Sequence, residues 1–432
     1  MDIIELAKSA KKASIELAAT DSQVKNIALG GIAKALKANA ESIIAANQKD
    51  LAKAREDNLA GPLLKRLKFD REKIDDVCAG IESLINIAEP VGRTVSAMEL
   101  DNGLELYKVS CPIGVIGVIF ESRPDALVQI SSLCLKSGNA VILKGGSEAA
   151  NTNRVLAETI KAASESSGIA AGWIQLLETR QEVAEMLEAD EYIDLIIPRG
   201  SNEFVKYIMS NTTIPVLGHA DGICHVYVDS EADLDMAVRV SVDSKCQYCA
   251  VCNAAETLLV HESIAGEFLP MVKAGFAEKD TEIRGCAKTR KIIDAAIADE
   301  HDWTTEYLDN IISIKVVSDF SEAVEHINKF GSGHTDAIIT KNAQAAADFM
   351  NLVDSADVFW NASTRFADGY RFGLGAEVGV STTKIHARGP VGIEGLLIYK
   401  YKLVGTGQIV ADYSGPGAKS YSHKRIEKEF GM

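Results

Sequence analysis

The chain has 432 residues, a length that is long for one domain and suits two or three. Hydrophobic residues make up 47% of it and charged residues 25%, as in an ordinary globular protein with a sizeable core. Its 45 basic and 61 acidic residues give a formal net charge of −16, which argues against nucleic acid or an anionic membrane as the main partner.

The first 88 residues are predicted to be helical. The chain opens on an amphipathic pattern that lacks the basic start and long apolar core of a signal peptide, so a cytoplasmic location is expected. Leu29, Ile32 and Leu36 recur on one helix face, and a second helix carries Ile43 and Leu51. The simplest interpretation of this region is a scaffold.

A parallel sheet is predicted downstream of these helices. Residues 104–109 alternate as an exposed strand does, and the apolar run at 113–120 is far too short to span a membrane. Strands and helices then alternate at the lengths of βαβ units, which predicts a doubly wound α/β sheet. The predicted strands are residues 114–120, 140–144, 174–177, 194–197, 214–217 and 224–228.

Two loops of this sheet have the composition of phosphate-binding loops, although no Gly-x-Gly-x-x-Gly fingerprint follows the first strand. The first loop consists of Lys144, Gly145, Gly146, Ser147 and Glu148. The first loop leads into a helix that Ser147 is expected to cap. The second loop contains Gly200 and Ser201. A helix start preceded by small residues offers free N–H groups to phosphate oxygens. For either loop the alternative is an ordinary capped helix.

Three cysteines, Cys246, Cys249 and Cys252, stand three residues apart between a predicted helix and a predicted strand. We interpret Cys252 as a nucleophile, because a loop gives a thiol the access that a core position denies. Two alternatives stay open: a small buried hydrophobe, and a metal site with Cys224 or His225 as a fourth ligand. All eight cysteines of the chain are scattered through apolar segments, which favours reduced thiols over disulfides.

Helices and strands continue to alternate after the cysteines, with predicted strands at residues 311–317, 336–340 and 357–360. A glycine-rich loop with a phenylalanine follows at 368–382. It either lets backbone approach a ligand closely or is simply a long, tight loop. A strand with exposed polar positions at 396–404 precedes a polar tail.

The order of these features resembles the aldehyde dehydrogenase superfamily over almost the whole chain. Within that superfamily, several long stretches are similar to the gamma-glutamyl phosphate reductase family, among them Phe120-Glu121-Ser122-Arg123-Pro124. The stretches that carry the resemblance are residues 112–125, 197–202, 215–222, 246–260 and 371–382.

The resemblance implies an NADPH-dependent reduction of L-glutamate 5-phosphate to L-glutamate 5-semialdehyde and phosphate, in proline biosynthesis. It assigns the nucleophile to Cys252, which would carry a thioester. It implies no metal, and it implies glutamate 5-kinase, which makes the labile acyl phosphate, as a partner enzyme. The residues that it places at the cofactor NADP are Lys144, Gly145, Gly146, Ser147, Glu148, Gly200 and Ser201.

Two departures from hydrolytic aldehyde dehydrogenases are informative. Those enzymes activate water with a glutamate in a Glu-Leu-Gly-Gly segment, whereas residues 216–219 here read Val-Leu-Gly-His and lack the acid. Water attack on a thioester would waste the intermediate of a reductase, so the loss is consistent with reduction. Those enzymes also carry an asparagine after the first strand, where this chain has Arg123. Arg123 either binds substrate phosphate or carboxylate, or pairs with Glu121.

The amino-acid end of the implied substrate needs a carboxylate site and an ammonium site. Their position near the glycine-rich loop makes Ser381, Thr382 and Arg388 candidates for the carboxylate. Asp221 and Asn361 are candidates for binding the ammonium group or orienting the chain.

The resemblance also implies two doubly wound Rossmann-type domains and a small β oligomerisation flap. The NADP-binding domain would contain residues 1–96, 113–224 and 373–393, and the catalytic domain residues 225–372. The flap would contain residues 97–112 and 394–432. Its strands have no predicted partner in either sheet, and an unpaired strand edge favours a homodimer or homotetramer.

Two other functions would use the same features. Another acyl reductase, for example one that uses a CoA thioester, would share Cys252 and the sheet, and release of phosphate on turnover would distinguish the two. A non-catalytic binding protein of the same fold would lack a reactive thiol, and rapid labelling of Cys252 would argue against it.

Overall fold

The computed structural model describes residues 2–219 and 221–431. Amphipathic segments within these ranges form α-helices, and short apolar segments form β-strands. The α-helices are α1 Ile3–Ala18, α2 Ser22–Ala38, α3 Ala40–Glu56, α4 Gly61–Leu67, α5 Arg71–Ile85, α6 Pro124–Ser137, α7 Ala150–Glu165, α8 Arg180–Leu187, α9 Asn202–Ser210, α10 Leu234–Cys246, α11 Glu262–Ala277, α12 Ala287–Arg290, α13 Phe320–Phe330 and α14 Ala343–Leu352. The strands are β1 Thr94–Asp101, β2 Leu104–Pro112, β3 Val115–Phe120, β4 Ala140–Lys144, β5 Ile174–Leu177, β6 Leu195–Arg199, β7 Cys224–Val228, β8 Ala255–His261, β9 Glu282–Gly285, β10 Ala296–Ile297, β11 Ile311–Val317, β12 Thr335–Ile339, β13 Asp357–Trp360, β14 Gly379–Ser381, β15 Gly389–Val391, β16 Leu397–Val404 and β17 Lys424–Ile426.

The first parallel sheet has the strand order β5-β4-β3-β6. Every residue of β3 and β4 is buried, and helices α1, α6 and α7 pack against the sheet to form one core. The chain moves outward from β3 through β4 to β5 and then returns to the other side of β3. This reversal lies between β3 and β6, and the crevice at the carboxyl ends of such strands is where open α/β sheets bind ligands.

The second parallel sheet has seven strands in the order β10-β9-β11-β8-β7-β12-β13. Its central strands β7 and β8 are almost wholly buried, and α10 and α11 pack over them in a core separate from the first. The loop between α10 and β8 therefore ends on a rigid strand, which fixes the position of any side chain in it.

A smaller antiparallel sheet has the order β16-β2-β1-β17. It joins the hairpin of β1 and β2 to the last strands of the chain, and β16 forms one of its edges. Strand β1 begins at Thr94, three residues before the predicted start of the flap. The stretch predicted near 97–112 is therefore two strands with a turn at Gly103, which has a φ of 70°.

Between the second sheet and this flap, the chain returns to the first core. Strands β14 and β15 pair only with each other, and Val378, Val391 and Leu396 are buried among the helices of the first sheet. The glycine-rich stretch just before β14 thereby lies beside the crevice of that sheet.

Three details differ from the sequence-based expectations. Residues 214–217 form no strand but a single bridge from Val216 to Ile196, in part because Pro215 has no N–H to donate. The segment Cys224–Val228 starts the second sheet rather than extending the first. Ser147 does not cap α7 but begins a single 3₁₀ turn, since the carboxylate of Asp50 accepts the N–H groups of the first turn of α7.

None of the helices in the described part of the chain is both long enough and apolar enough to cross a membrane.

Candidate active site

Cys252 lies on the loop between α10 and β8 and faces a cleft of about 640 Å³. Its side chain is half-buried, so it is accessible from the cleft yet held by its surroundings. The cleft is also lined by Phe120 at the end of β3, Arg199 at the end of β6, and Val380 on β14. The carboxyl ends of two parallel strands and the nucleophile loop of the second sheet thus meet at one place.

The backbone at Cys252 is packed tightly against its neighbours. A Cβ atom on Gly222 would lie 2.1 Å from the Cys252 carbonyl oxygen, so only glycine fits there. The Cys224 thiol donates a hydrogen bond to the same oxygen over 3.2 Å, and burial raises the pKa of that thiol well above its usual value. Cys224 therefore serves as a neutral donor that ties the loop to β7.

A buried ion pair closes the other side of the loop. Lys245 Nζ lies 2.5 Å from a carboxylate oxygen of Glu256, and both side chains are fully buried. Burial raises the pKa of Glu256, while Lys245 opposes that shift. Because the two residues flank the loop in sequence, their pairing draws the end of α10 and the start of β8 together.

Two histidines stand beside the thiol. One imidazole nitrogen of His219, one of His334 and the Sγ atom of Cys252 all lie within 4.8 Å of one another. The two rings pack edge to face with their centroids 4.9 Å apart. His219 is partly exposed, whereas His334 is fully buried and its Nε2 has no hydrogen-bond partner among the described residues.

Positive charge is also concentrated around Cys252. Burial lowers the pKa of Arg199, and the nearby guanidinium of Arg123 lowers it further, while the charge of Cys252 acts in the opposite direction. Arg365 is buried, and burial lowers its pKa, while the charge of Cys252 acts in the opposite direction. Among the described residues no carboxylate forms an ion pair with Arg123, so the alternative of a pair with Glu121 is not seen.

A second cleft of about 760 Å³ adjoins the first and shares Phe120, Glu121 and Ser201 with it. Both volumes fall within the range of small-molecule and cofactor sites. Of the residues predicted at the cofactor, those that line this second cleft are Lys144, Gly146, Ser147, Glu148 and Ser201. Gly145 is packed against Asn153, and a Cβ on Gly145 would lie 2.1 Å from that side chain.

The loops of the second cleft are joined by carboxylates. Glu148 accepts hydrogen bonds of 2.6 Å from both the N–H and the hydroxyl of Ser122, which links the loops after β3 and β4. Lys144 Nζ lies 2.5 Å from the carbonyl oxygen of Gly145. At the N-terminus of α7, the carboxylate of Asp50 accepts the N–H groups of Asn151 and Thr152, so these two donors are not available to a phosphate.

The loop after β6 offers a more open helix start. Ser201 precedes α9 and makes no side-chain capping bond, and Gly200 leaves room for Glu121 to approach. Burial raises the pKa of Glu121, and the charge of Glu148 adds to this effect. The second predicted loop is therefore the better of the two for an anion.

Apart from Arg123, the predicted substrate residues lie outside the lining of the Cys252 cleft. Asp221 pairs with Lys206 Nζ at 2.6 Å and accepts from Asn202 at 2.8 Å. Asn361, with a φ of 54°, exchanges hydrogen bonds with the backbone of Thr340. None of Asp221, Asn361, Ser381, Thr382 and Arg388 is among the residues that line the Cys252 cleft within the described ranges.

Arg388 sits at a separate surface depression, where it contacts Asp354 and several carbonyl oxygens. Ser381 is buried and shares a hydrogen bond with Thr383, and the Thr382 N–H donates to Gly218. These contacts make the three residues supports of the loop that holds Val380. Their assignment to the substrate stays a prediction.

Sequence reasoning missed several residues that surround the thiol: Arg199, Arg365, His334 and Glu377. Arg199 ends β6, and the small residues of the loop after it are the only local signal. His334 precedes a strand of the second sheet, about eighty residues after Cys252. A histidine at the start of a buried strand carries no local pattern that predicts its neighbours. Only the order of strands β7 and β12 in the sheet brings His334 beside His219 and Cys252.

Comparison with known proteins settles the family. A family model described as the aldehyde dehydrogenase family matches residues 1–282. The gamma-glutamyl phosphate reductase of Pelotomaculum thermopropionicum is 61% identical over 432 residues, which cover 100% of this chain and 99% of that protein. The chain belongs to the gamma-glutamyl phosphate reductase family of the aldehyde dehydrogenase superfamily.

Solved structures agree with this membership. A crystal structure of the gamma-glutamyl phosphate reductase of Thermotoga maritima is 42% identical, with a TM-score of 0.92 over 95% of this chain and 100% of that one. A glyceraldehyde-3-phosphate dehydrogenase from Methanocaldococcus jannaschii, complexed with NADP, is 17% identical with a TM-score of 0.65 over 94% of each chain, which shows a shared fold. The predicted family and α/β fold class are thus confirmed: the protein is an oxidoreductase of a family that uses nicotinamide cofactors.

Proposed function

We propose that this member of the gamma-glutamyl phosphate reductase family reduces L-glutamate 5-phosphate to L-glutamate 5-semialdehyde, with release of phosphate, in proline biosynthesis. The observation that carries the proposal is the placement of Cys252 in a cleft that adjoins a second cleft with loops suited to a dinucleotide. Full-length identity of 61% to a protein of that name supports the same reaction.

NADPH is the proposed cofactor, and the residues of the second cleft fit it. Lys144 stands at the end of β4, where it can contact a ribose or a phosphate. A Cβ on Gly146 would collide with the Glu148 carboxylate, so glycine lets this carboxylate keep its hydrogen bonds to Ser122. Ser201 and the start of α9 lie where the two clefts meet, and the N–H groups of this helix start would suit a pyrophosphate there. When bound, the reduced nicotinamide supplies hydride.

Cys252 begins the reaction as a thiolate. It attacks the carbonyl carbon of the acyl phosphate, a C–S bond forms, the C–O bond to phosphate breaks, and phosphate leaves with the electron pair. The result is a thioester on Cys252, which accepts hydride more readily than a carboxylate does. The hemithioacetal that follows collapses to the aldehyde and returns the thiolate.

Guanidinium groups stabilise the charge of the substrate and of the leaving phosphate. Arg199, Arg365 and Arg123 lie around the thiol, and a planar guanidinium pairs with two oxygens of a phosphate or a carboxylate. The approach to the cleft is basic as well, since Arg66 and Arg123 line both the cleft and an adjoining depression that contains Lys65 and Lys73. An anionic substrate would be attracted there despite the net negative charge of the chain.

The absence of a water-activating acid supports reduction over hydrolysis. His219 stands in the segment that holds a glutamate in hydrolytic relatives of the superfamily, and its Nδ1 donates to the carbonyl oxygen of Val380 over 2.9 Å. The carboxylate of Glu377 lines the cleft, but its oxygen accepts the N–H of Gly369, and burial raises its pKa.

The reverse reaction tests the proposal without the labile substrate. Purified protein is mixed with 1-pyrroline-5-carboxylate (the cyclic form of the product), NADP⁺ and phosphate, and NADPH formation is followed by absorbance. We expect phosphate-dependent formation by the wild type and by Cys249→Ala, and none by Cys252→Ala with an unchanged circular dichroism spectrum. Oxidation of other aldehydes without any dependence on phosphate would instead indicate a different aldehyde dehydrogenase.

A further inference from the structure

Two side chains that line the cleft and a buried histidine beside them form a cluster with the composition of a transition-metal site. We propose that His219, Cys252 and His334 bind a divalent borderline metal ion, Zn²⁺ by preference, and that the bound ion reversibly blocks the nucleophile. One ligand atom from each residue lies within 4.8 Å of the other two. The ion is an inhibitor from solution rather than a resident cofactor, so the proposal does not require metal for turnover.

The buried histidine supplies an observation independent of the cluster itself. His334 is fully buried, and its Nε2 has no hydrogen-bond partner among the described residues. A buried nitrogen without a partner costs free energy, and a ligand that accepts its lone pair removes that cost. A ring nitrogen of His334 lies within 4.8 Å of Cys252 Sγ, so a ligand of this cluster would bind nitrogen and sulfur together.

The hydrogen bonds of the two rings fix which nitrogen of each imidazole carries the proton. Thr335 Oγ1 donates to Asp357 over 3.4 Å, so its oxygen must accept the proton of His334 Nδ1 over 2.8 Å. His219 Nδ1 donates to the Val380 carbonyl. In both rings the proton is on Nδ1, which leaves Nε2 as the nitrogen that can bind a metal. A histidine ligand held by a second hydrogen bond is the usual arrangement in metal sites.

The distances require only a small contraction. Two atoms bound to one tetrahedral Zn²⁺ at bond lengths of about 2.1 and 2.3 Å lie roughly 3.3–3.6 Å apart. The ligand atoms here need to move by about an ångström, and His219 and Cys252, both partly exposed, have the freedom to do so. Gly222 and Cys224 hold the Cys252 backbone, so the movement is confined to side chains.

The surroundings predict moderate affinity and an open fourth position. Two imidazoles and one thiolate suit Zn²⁺ and Co²⁺ better than Mg²⁺ or Ca²⁺, which prefer oxygen ligands. The cleft leaves the fourth position to water, as in metal sites that are not closed by protein. Arg199 and Arg365 repel a cation, so we expect binding that a chelator reverses, unlike that of a structural zinc site.

Cobalt binding tests the site without substrate or cofactor, so its outcome does not depend on the proposed reaction. Metal-free protein, kept reduced by a phosphine, is titrated with Co²⁺, and the thiolate-to-cobalt charge-transfer band is recorded. We expect one equivalent per chain, displacement by Zn²⁺ and removal of the ion by EDTA. Cys252→Ser should abolish the band, while the matched variant Cys249→Ser should retain both the band and the affinity.

The histidine ligands are tested separately. His219→Gln and His334→Gln should each weaken Co²⁺ binding at least tenfold, and His386→Gln, at an exposed histidine away from the cluster, should not change it. His219 is partly exposed, so its variant remains informative if His334→Gln fails to fold. Three results would each overturn the proposal: no band in the wild type, a band that survives in Cys252→Ser, or wild-type affinity in His219→Gln.

Discussion

Arginine positions in the cleft decide how tightly an anionic substrate is held. Arg123 lines the Cys252 cleft and pairs with no carboxylate among the described residues, whereas Arg388 is engaged by Asp354 at 3.2 Å. Arg123→Ala should therefore raise the KM for phosphate in the reverse reaction about tenfold or more, with a smaller effect on kcat, since a charged hydrogen bond contributes roughly 1.5–3 kcal/mol.

Arg388→Ala is the matched comparison in the same assay. If Arg388 supports the loop rather than the substrate, its replacement should lower thermal stability and leave the KM for phosphate and for 1-pyrroline-5-carboxylate near the wild-type values. A large rise in the KM for 1-pyrroline-5-carboxylate would instead restore Arg388 as a carboxylate ligand.

The nucleophile and the loops of the second cleft are predictable from the sequence, because each is a local pattern. Cys252 precedes a buried strand, and Lys144 ends one, so their positions follow from the strands themselves. His334 and Arg199 could not be assigned in this way. Their proximity to Cys252 depends on strand order across two sheets, which short-range patterns do not encode.

At the scale of elements, the nucleophile loop depends on close contact with the segment before β7. A Cβ at Gly222 would lie 2.1 Å from the Cys252 carbonyl oxygen, and the atoms it would meet are all backbone atoms, so no side-chain rotation relieves the clash. Gly222→Ala should displace the loop and lower kcat/KM at least a hundredfold, because misplacement by about an ångström has effects of that size.

A second glycine provides the control for that change. Gly266 lies in α11, and apart from its chain neighbours and the backbone of its own helix no atom comes within 4 Å of the place where an alanine methyl group would stand, so Gly266→Ala should keep full activity. It should also raise stability by about 1 kcal/mol, the difference in helix propensity between the residues. Wild-type kcat/KM in Gly222→Ala would show that the loop tolerates the displacement.

A buried histidine in α13 makes the stability of the second sheet depend on pH. Burial lowers the pKa of His326 to about 2, and the charges of His225, Lys315 and Lys329 act in the same direction. The unfolded chain protonates this residue near its ordinary pKa of 6.5, so stability is complete above that pH and is lost as pH falls below it.

His326→Gln should remove this dependence. Between pH 7.5 and pH 5 the wild type should lose about 2 kcal/mol more stability than the variant, since each unit below pH 6.5 costs about 1.4 kcal/mol. Urea midpoints at the two pH values measure the difference. His423→Gln, at an exposed histidine, should follow the wild type, and equal losses in all three proteins would contradict the prediction.

Elements are predictable in proportion to their regularity. Strands β5, β11 and β13 have the bounds that their apolar runs and flanking turn residues indicate. The stretch 97–112 is predicted as one strand without its turn at Asn102 and Gly103, because only residues 104–109 show a clear alternation of apolar and polar side chains. The strand predicted at 214–217 is wrong. Pro215 has no N–H to donate to a neighbouring strand, and only Val216 forms a bridge, to Ile196.

At the scale of the whole molecule, the edge strand β16 leaves a large apolar surface exposed. Its solvent-facing hydrophobic residues are Ile398, Tyr399, Tyr401, Leu403 and Val404. A long exposed edge with such residues is a template for pairing with another chain, which supports the proposed homodimer or homotetramer. The domain division and the assembly both remain proposals.

A charge on this surface should weaken the assembly. Leu403→Lys should shift the molar mass measured by light scattering towards that of one chain, because it places a charge in a desolvated interface. Ile15→Lys, an equally exposed hydrophobic position on α1, should leave the mass unchanged. A wild-type protein that already has the mass of one chain would contradict the proposed assembly.

The return of the chain to the first core after residue 373 has a consequence for synthesis on the ribosome. Val378, Val391 and Leu396 complete the core of a sheet whose strands emerge some two hundred residues earlier. Val380 lines the Cys252 cleft and accepts the His219 hydrogen bond, so the cleft is incomplete until this segment has left the exit tunnel. A nascent chain that stalls before then exposes its thiol and an unfinished core, which makes it a substrate for chaperones and proteases rather than a partial enzyme.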